Sequence, residues 1–128
     1  MAEVKNVVII LTTGKADNGK SATLAFNCAL AAQALGQSPT IFLTSDGAVW
    51  AYRGSAKGIA VQGFAPLETL VEQFIESGGN ILLCSVCHQT CGAGSGDQDL
   101  TVLKLPSVNI AGFTSMLELA LDGVTVTF

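Results

Sequence analysis

Two rhythms of apolar residues alternate along this chain: short continuous runs, and stretches with helical spacing. Residues 4–11, continuously apolar from Val7 on and rich in β-branched side chains, predict a strand buried on both faces. A polar loop at 12–18 leads into a helix over 19–35. Leu24, Cys28, Ala31, Ala32 and Leu35 recur at helical spacing as its expected buried face, and Gly36 is its stop. A second strand is predicted over 40–43, reaching to Thr44. Residues 45–63 are Gly-rich and irregular, and include Trp50, Tyr52 and Arg53. Pro66 then opens a helix as its first residue, with Glu68 in the first turn, where the helix dipole favours an acid. Leu67, Leu70, Val71, Phe74 and Ile75 form its buried face, and Gly78 ends it. A third strand spans 80–84. Residues 92–96 read as flexible and 100–105 as a weak apolar stretch before Pro106. A fourth strand at 107–111, a helix at 114–121 with Ser115 and Glu118 at capping-box spacing, and a strand at 124–128 complete the pattern.

Strand and helix in alternation imply an α/β fold: an open parallel sheet with helices on both faces. The expected strand order is 2-1-3-4-5. That order makes the first and third strands neighbours at the switch point and sets the loops after them side by side. The 128 residues form one domain, 1–128, without a repeat, linker or low-complexity tail.

Composition narrows the function classes. Apolar residues make up 49% of the chain and charged residues 12%, against about 25% charged in a typical soluble domain. No apolar run approaches the ~18–20 residues that span a bilayer, so no membrane partner is expected. The apolar excess is assigned to the core and a subunit interface, with Trp50, Tyr52 and Phe64 as interface candidates. The net charge is −4 and Lys and Arg do not cluster, so no nucleic-acid partner is expected. The N-terminus has no charged segment followed by an apolar stretch and a cleavage site. The expected location is therefore cytoplasmic, where the four cysteines read as reactive or metal-binding thiols.

Three of those cysteines and the sole histidine lie in Cys84-Ser85-Val86-Cys87-His88-Gln89-Thr90-Cys91-Gly92. The third strand delivers Cys84 at its carboxyl end, where reacting groups collect in open α/β sheets and where a thiol can be exposed on a rigid backbone. One reading is a sulfur-carrying nucleophile. Backbone N–H groups at a helix start would favour its thiolate, His88, Lys15 and Lys20 would help if near, and Cys87 or Cys91 would attack the loaded Cys84. A second reading is zinc or an iron–sulfur cluster on Cys84, Cys87, His88 and Cys91, although adjacent Cys87 and His88 converge poorly on one ion. The C-x-x-C-H pattern also fits covalent haem, which normally goes with export. The plainest reading makes Cys84 and Cys87 core residues and His88 a surface residue.

Gly14-Lys15-Ala16-Asp17-Asn18-Gly19-Lys20-Ser21 fits G-x-x-x-x-G-K-[ST] between a strand and a helix. As a phosphate loop it would use Lys20, with Asp46 as the sole candidate metal-side acid. The competing reading, which is favoured, is a turn with Asp17 or Asn18 capping the helix.

Four stretches, in order, resemble the DsrE/DsrF-like sulfur-relay family: residues 7–13 with the Ala-rich helix at 22–35; "TIFLTSDG" at 40–47 followed by Arg53-Gly54; "ILLCSVCHQTCG" at 81–92; and "FTSMLELALDGVTVTF" at 113–128. The resemblance implies a three-layer flavodoxin-like fold and homo-oligomers, often trimers or hexamers. It also implies a sulfurtransferase-like relay in which a cysteine accepts sulfane sulfur as a persulfide and passes it on, with no cofactor and no bound metal. The family's reactive cysteine falls on Cys84, and YchN-type members also have a cysteine at Cys87. Where the family often has Arg-Gly, this chain has Cys91-Gly92, replacing a fixed positive charge by a third thiol. Cys84 is thus the expected acceptor, with Cys87, His88 and Cys91 as its helpers. The expected partners are sulfur donor and acceptor proteins or small sulfane-sulfur species. Two other classes stay open: a non-catalytic assembly subunit of a sulfur-relay complex, and a nucleotide or anion binder at residues 14–21.

Overall fold

The computed structural model describes residues 3–90 and 104–128. Five parallel strands, β1 (Asn6–Leu11), β2 (Ser38–Leu43), β3 (Asn80–Cys84), β4 (Val108–Ala111) and β5 (Gly123–Thr127), form one sheet. The helices are α1 (Lys20–Ala34), α2 (Leu67–Glu76), α3 (Ser85–Thr90) and α4 (Phe113–Ala120).

The open parallel α/β sheet is as expected, but its order is 4-3-2-1-5, not 2-1-3-4-5. The chain steps from β1 through β4 in one direction. Right-handed crossovers then put α1 and α2 on one face, and the long return to β5 puts α4 on the other. Two ring contacts mark the two layers: Phe26 of α1 meets Phe74 of α2 edge-on with centroids 5.9 Å apart, and Phe42 of β2 meets the tilted ring of Phe113 of α4, also at 5.9 Å. The direction reverses between β1 and β5, so the switch point lies there and β2 separates β1 from β3. The loops after β1 and β3 are therefore not immediate neighbours. The turn after β2 stands between them.

Helix α1 buries a different face from the one its larger residues suggest. Ala22, Ala25, Phe26, Ala29 and Ala32 pack inward, while Leu24 and Leu35 are exposed and Cys28 is half-buried. Small side chains let the helix axis approach the sheet, so the alanine stripe wins over the leucine stripe. In α2 the expected face holds, with Leu67, Leu70, Val71 and Phe74 buried and Ile75 at its margin; Pro66 stands just outside the first turn. The expected capping box of α4 does not form. Gly112 occupies the cap and no side chain bonds there.

The phosphate-loop pattern is filled by the chain itself. Asp17 accepts hydrogen bonds from the backbone N–H of Gly19 (3.1 Å) and of Ser21 (2.9 Å) and from Ser21 Oγ (2.7 Å). Its carboxylate takes the place an anion would occupy at the start of α1, which favours the cap reading. Burial raises the Asp17 pKa, but the bonds from the Ser21 hydroxyl and from the N–H groups of Ser21, Gly19 and Lys20 outweigh it and hold the group below its ordinary value. A depressed carboxylate stabilises the fold above its unfolded pKa of about 3.9, and that contribution disappears as pH falls through the lower folded value. Asp17→Ala is expected to cost about 1 kcal/mol at neutral pH, read by urea denaturation. The difference from the parent should vanish in acid.

Candidate functional site

Cys84 ends β3, and Ser85 starts α3 at once, so the segment expected as a loop is a strand-to-helix junction. The junction exists because Ile81, Leu82 and Leu83 are buried and hold the strand to its last residue. Backbone N–H groups of Cys87 and Val86, in the first turn of α3, hydrogen-bond the Cys84 sulfur. The Cys84 thiol is 1% exposed, which corrects the expectation of an exposed sulfur at this strand end. Cys87 lies beside it, 8% exposed.

The other wall is the turn after β2. Thr44 Oγ1 lies 3.6 Å from Cys87 Sγ, and the backbone N–H of Ser45 donates to the same sulfur at 3.1 Å. Ser45 has φ 55°, a left-handed conformation that costs a non-glycine residue roughly 1 kcal/mol or more. That conformation aims the Ser45 N–H at the thiol. Backbone packing holds the turn in place: the N–H of Gly47 bonds both Thr12 O and Thr44 O at 3.0 Å.

The two thiols are pushed apart in acidity. For Cys84, burial raises the pKa, but hydrogen bonds from the Cys87 N–H, the Thr44 hydroxyl, the Cys87 thiol and the Val86 N–H prevail, and the net direction is down. For Cys87, burial raises the pKa; the bonds from Thr44 and Ser45 oppose this, but donating to Cys84 and facing its negative charge keep the net direction up. The first proton the pair gives up therefore comes from Cys84, with Cys87 as a donor to its sulfur. Thr44→Val keeps the shape and removes the hydroxyl. It is expected to raise the apparent pKa of Cys84, so that alkylation by iodoacetamide at neutral pH slows several-fold and the rate profile moves to higher pH. An unchanged profile would remove Thr44 from the site.

His88 is half-buried, and its Nδ1 is 2.7 Å from the hydroxyl of Tyr52. The two rings are nearly parallel, 13° apart, with centroids at 5.9 Å. Tyr52 was an expected interface residue but is 3% exposed, and Trp50 is 2% exposed. Both belong to this chain's core. Burial raises the Tyr52 pKa, and ionisation of Cys87 raises it further. Sequence reasoning missed Tyr52 and Ser45 as site residues. Their only signal was position, in the segment that leaves β2.

Cys91 lies outside the described residues, as do residues 92–96 and most of 100–105. Lys15, in the turn before α1, and Lys20, its first residue, are both exposed. Among the described residues no three His, Cys, Asp or Glu side chains gather as a metal-binding group. Among them, too, no helix is long and apolar enough to cross a membrane.

Comparison with known proteins agrees with the fold. The DsrE/DsrF-like family profile matches residues 5–128. No curated protein sequence matches the chain. The crystal structure of the ychN protein from E. coli superposes with a TM-score of 0.73 at 16% identity, covering 98% of this chain and 100% of that one. At that identity the likeness shows a shared fold.

Proposed function

The chain belongs to the DsrE/DsrF-like family, and from that premise we propose that it is a cytoplasmic sulfur carrier whose Cys84 accepts sulfane sulfur as a persulfide. The observation that carries the reading is geometric: at the β3–α3 junction the Cys84 and Cys87 thiols are buried side by side, with the Ser45 N–H donating to Cys87 Sγ at 3.1 Å and Thr44 Oγ1 3.6 Å from it. A carrier needs one ionised sulfur to load and no second ionised sulfur to discharge it early.

The chemistry balances without a cofactor. The Cys84 thiolate attacks a terminal region of a polysulfide or a donor persulfide. A sulfur–sulfur bond forms at Cys84, another breaks, and the donor leaves as a shortened polysulfide or a thiolate. Transfer to an acceptor reverses the roles: the acceptor thiolate attacks the outer sulfur and Cys84 leaves as thiolate. If Cys87 ionises, it attacks Cys84 Sγ instead, giving a Cys84–Cys87 disulfide and releasing HS⁻. The raised pKa of Cys87 disfavours that branch. His88, held by Tyr52, is suited to manage a proton beside Cys87. The test is sulfur loading from polysulfide, which should be present in the parent and absent in Cys84→Ser.

Burial of Cys84 sets a condition on access. A small sulfane-sulfur species reaches it with less displacement of α3 than a protein donor needs, so polysulfide is the preferred first donor to try.

The same reading includes a homo-oligomer. Phe113, Leu117 and Leu121, spaced by one helical turn along and just past α4, are 53%, 55% and 87% exposed, and Val124 on the edge strand β5 is 56% exposed. This apolar face is the place for a second copy, in preference to the aromatic segment expected from sequence. Leu117→Glu is expected to lower the mass measured by sedimentation equilibrium. A parent protein that is monomeric at all concentrations would contradict the oligomer.

A further inference from the structure

Cys84 ends β3 and Cys87 lies in the first turn of α3, so the two are three residues apart across one junction. That spacing sets both side chains over the same turn of the chain. The Cys87 thiol donates a hydrogen bond to the Cys84 sulfur, so the two sulfurs are in contact, and both are in the free thiol form. We propose that this pair is an oxidation site: a hydroperoxide converts unloaded Cys84 to a sulfenic acid, and Cys87 closes on it as a disulfide that shuts the sulfur site until an external dithiol reopens it.

Contact argues first. A disulfide forms without backbone movement only where the two side chains already converge. Here they touch, so rotation of the side chains brings the sulfurs to bonding distance, with the strand end and the helix start left in place. Burial argues next. Cys84 is 1% exposed, under α3 and the turn after β2. A hydroperoxide such as hydrogen peroxide is close to water in size and reaches the sulfur through a small opening. A glutathione-type disulfide carries a peptide on each sulfur and needs α3 displaced. The site therefore selects a small oxidant over a bulky one.

The steps balance. The Cys84 thiolate attacks one peroxide oxygen; a sulfur–oxygen bond forms, the oxygen–oxygen bond breaks and hydroxide leaves. Cys87 then attacks the sulfenic sulfur; the sulfur–sulfur bond forms and the sulfur–oxygen bond breaks. Its proton and the one Cys84 gave up convert the two departing hydroxides to water. The pair loses two electrons and two hydrogens, and the peroxide is reduced to two waters. A dithiol returns both hydrogens by thiol–disulfide exchange and is itself oxidised. Without Cys87 as the resolving thiol, the sulfenic acid goes on to sulfinic acid, which thiols do not reduce.

The bond is the one that discharge of a loaded Cys84 also reaches, but here the empty protein forms it with no sulfane sulfur present. The inference rests on the sulfur-relay reading only for its consequence, the loss of loading. Oxidation of the pair is independent of that reading.

The test treats the reduced, ¹⁵N-labelled whole chain with hydrogen peroxide in the absence of sulfane sulfur. Intact mass should fall by two hydrogens, and fragmentation should place the bond between Cys84 and Cys87. The amide of Ser45, whose N–H donates to Cys87 Sγ at 3.1 Å, should shift. Loading from polysulfide should be lost and should return with dithiothreitol. Cys91→Ser should lose the same two hydrogens, which keeps the bond on the inner pair. Cys87→Ser should instead gain oxygen that dithiothreitol does not remove. Peroxide should outpace glutathione disulfide by a wider margin than it does with free cysteine. The proposal is overturned by an unchanged mass, by a bond that needs Cys91, by dithiothreitol reversal in Cys87→Ser, or by glutathione disulfide acting as fast as peroxide. A disulfide and a Ser45 shift in a protein that never loads sulfur would sink the carrier reading and leave the oxidation site standing.

Discussion

Gly47→Ala is expected to destabilise the protein by about 3 kcal/mol or more, a large share of the roughly 5–15 kcal/mol that holds a small domain together. A Cβ at Gly47 would lie 2.0 Å from Leu11 O and 2.7 Å from Leu11 C. Both atoms belong to the backbone at the end of β1, so no side-chain rotation relieves the clash. Gly47 is absent from the positive-φ positions, and its requirement is therefore one of space alone. The consequence reaches the site. Gly47 locks the turn after β2 onto the end of β1 through its bonds to Thr12 O and Thr44 O. Thr44 and Ser45 in that turn hold Cys87. Denaturant unfolding of the variant should show a much lower midpoint, and any folded fraction should show a Cys84 that ionises at higher pH. A midpoint equal to the parent's would mean that the two turns are not packed as described.

Cys84→Ser and Cys87→Ser are expected to fail in opposite ways. The first removes the ionised sulfur, so loading from polysulfide should fall to background while the fold persists, since serine is close in size and the strand-end backbone is unchanged. The second should load normally and hold its sulfur longer. In the parent, raising the pH ionises Cys87, which then attacks Cys84 and releases HS⁻ with formation of the disulfide. Sulfide release should thus climb with pH in the parent and stay flat in Cys87→Ser. The sign follows from the acidities: Cys84 is lowered and Cys87 raised, so discharge sets in at higher pH than loading. Sulfide electrode traces across a pH series read both arms. Loading that survives Cys84→Ser, or discharge that ignores Cys87, would contradict the assigned roles.

The fold class was legible because the strands are short runs rich in apolar or β-branched residues and each long helix has a punctuating glycine or proline. Strand order was not legible. The βαβ alternation is the same in 2-1-3-4-5 and in 4-3-2-1-5, and the difference lies in which edge each crossover chooses. The face of α1 was misread because size was weighed over fit: alanine carries little hydrophobic signal yet allows the closest helix-to-sheet contact. Cys84 and Cys87 were legible from clustering and strand-end position. The donors that tune them were not. Ser45 acts through a backbone N–H in a left-handed turn, and Tyr52 reaches His88 from a residue 36 positions away in sequence. Neither relation leaves a pattern in the order of residues.

The central claim is that Cys84 carries sulfur. Its most direct test is an anaerobic native mass spectrum of the parent protein before and after incubation with polysulfide, followed by peptide mapping. The account predicts a gain of whole sulfur atoms, located on the peptide that holds Cys84 and removed by a thiol acceptor. No gain, or a gain confined to the peptide that holds Cys28, would contradict it.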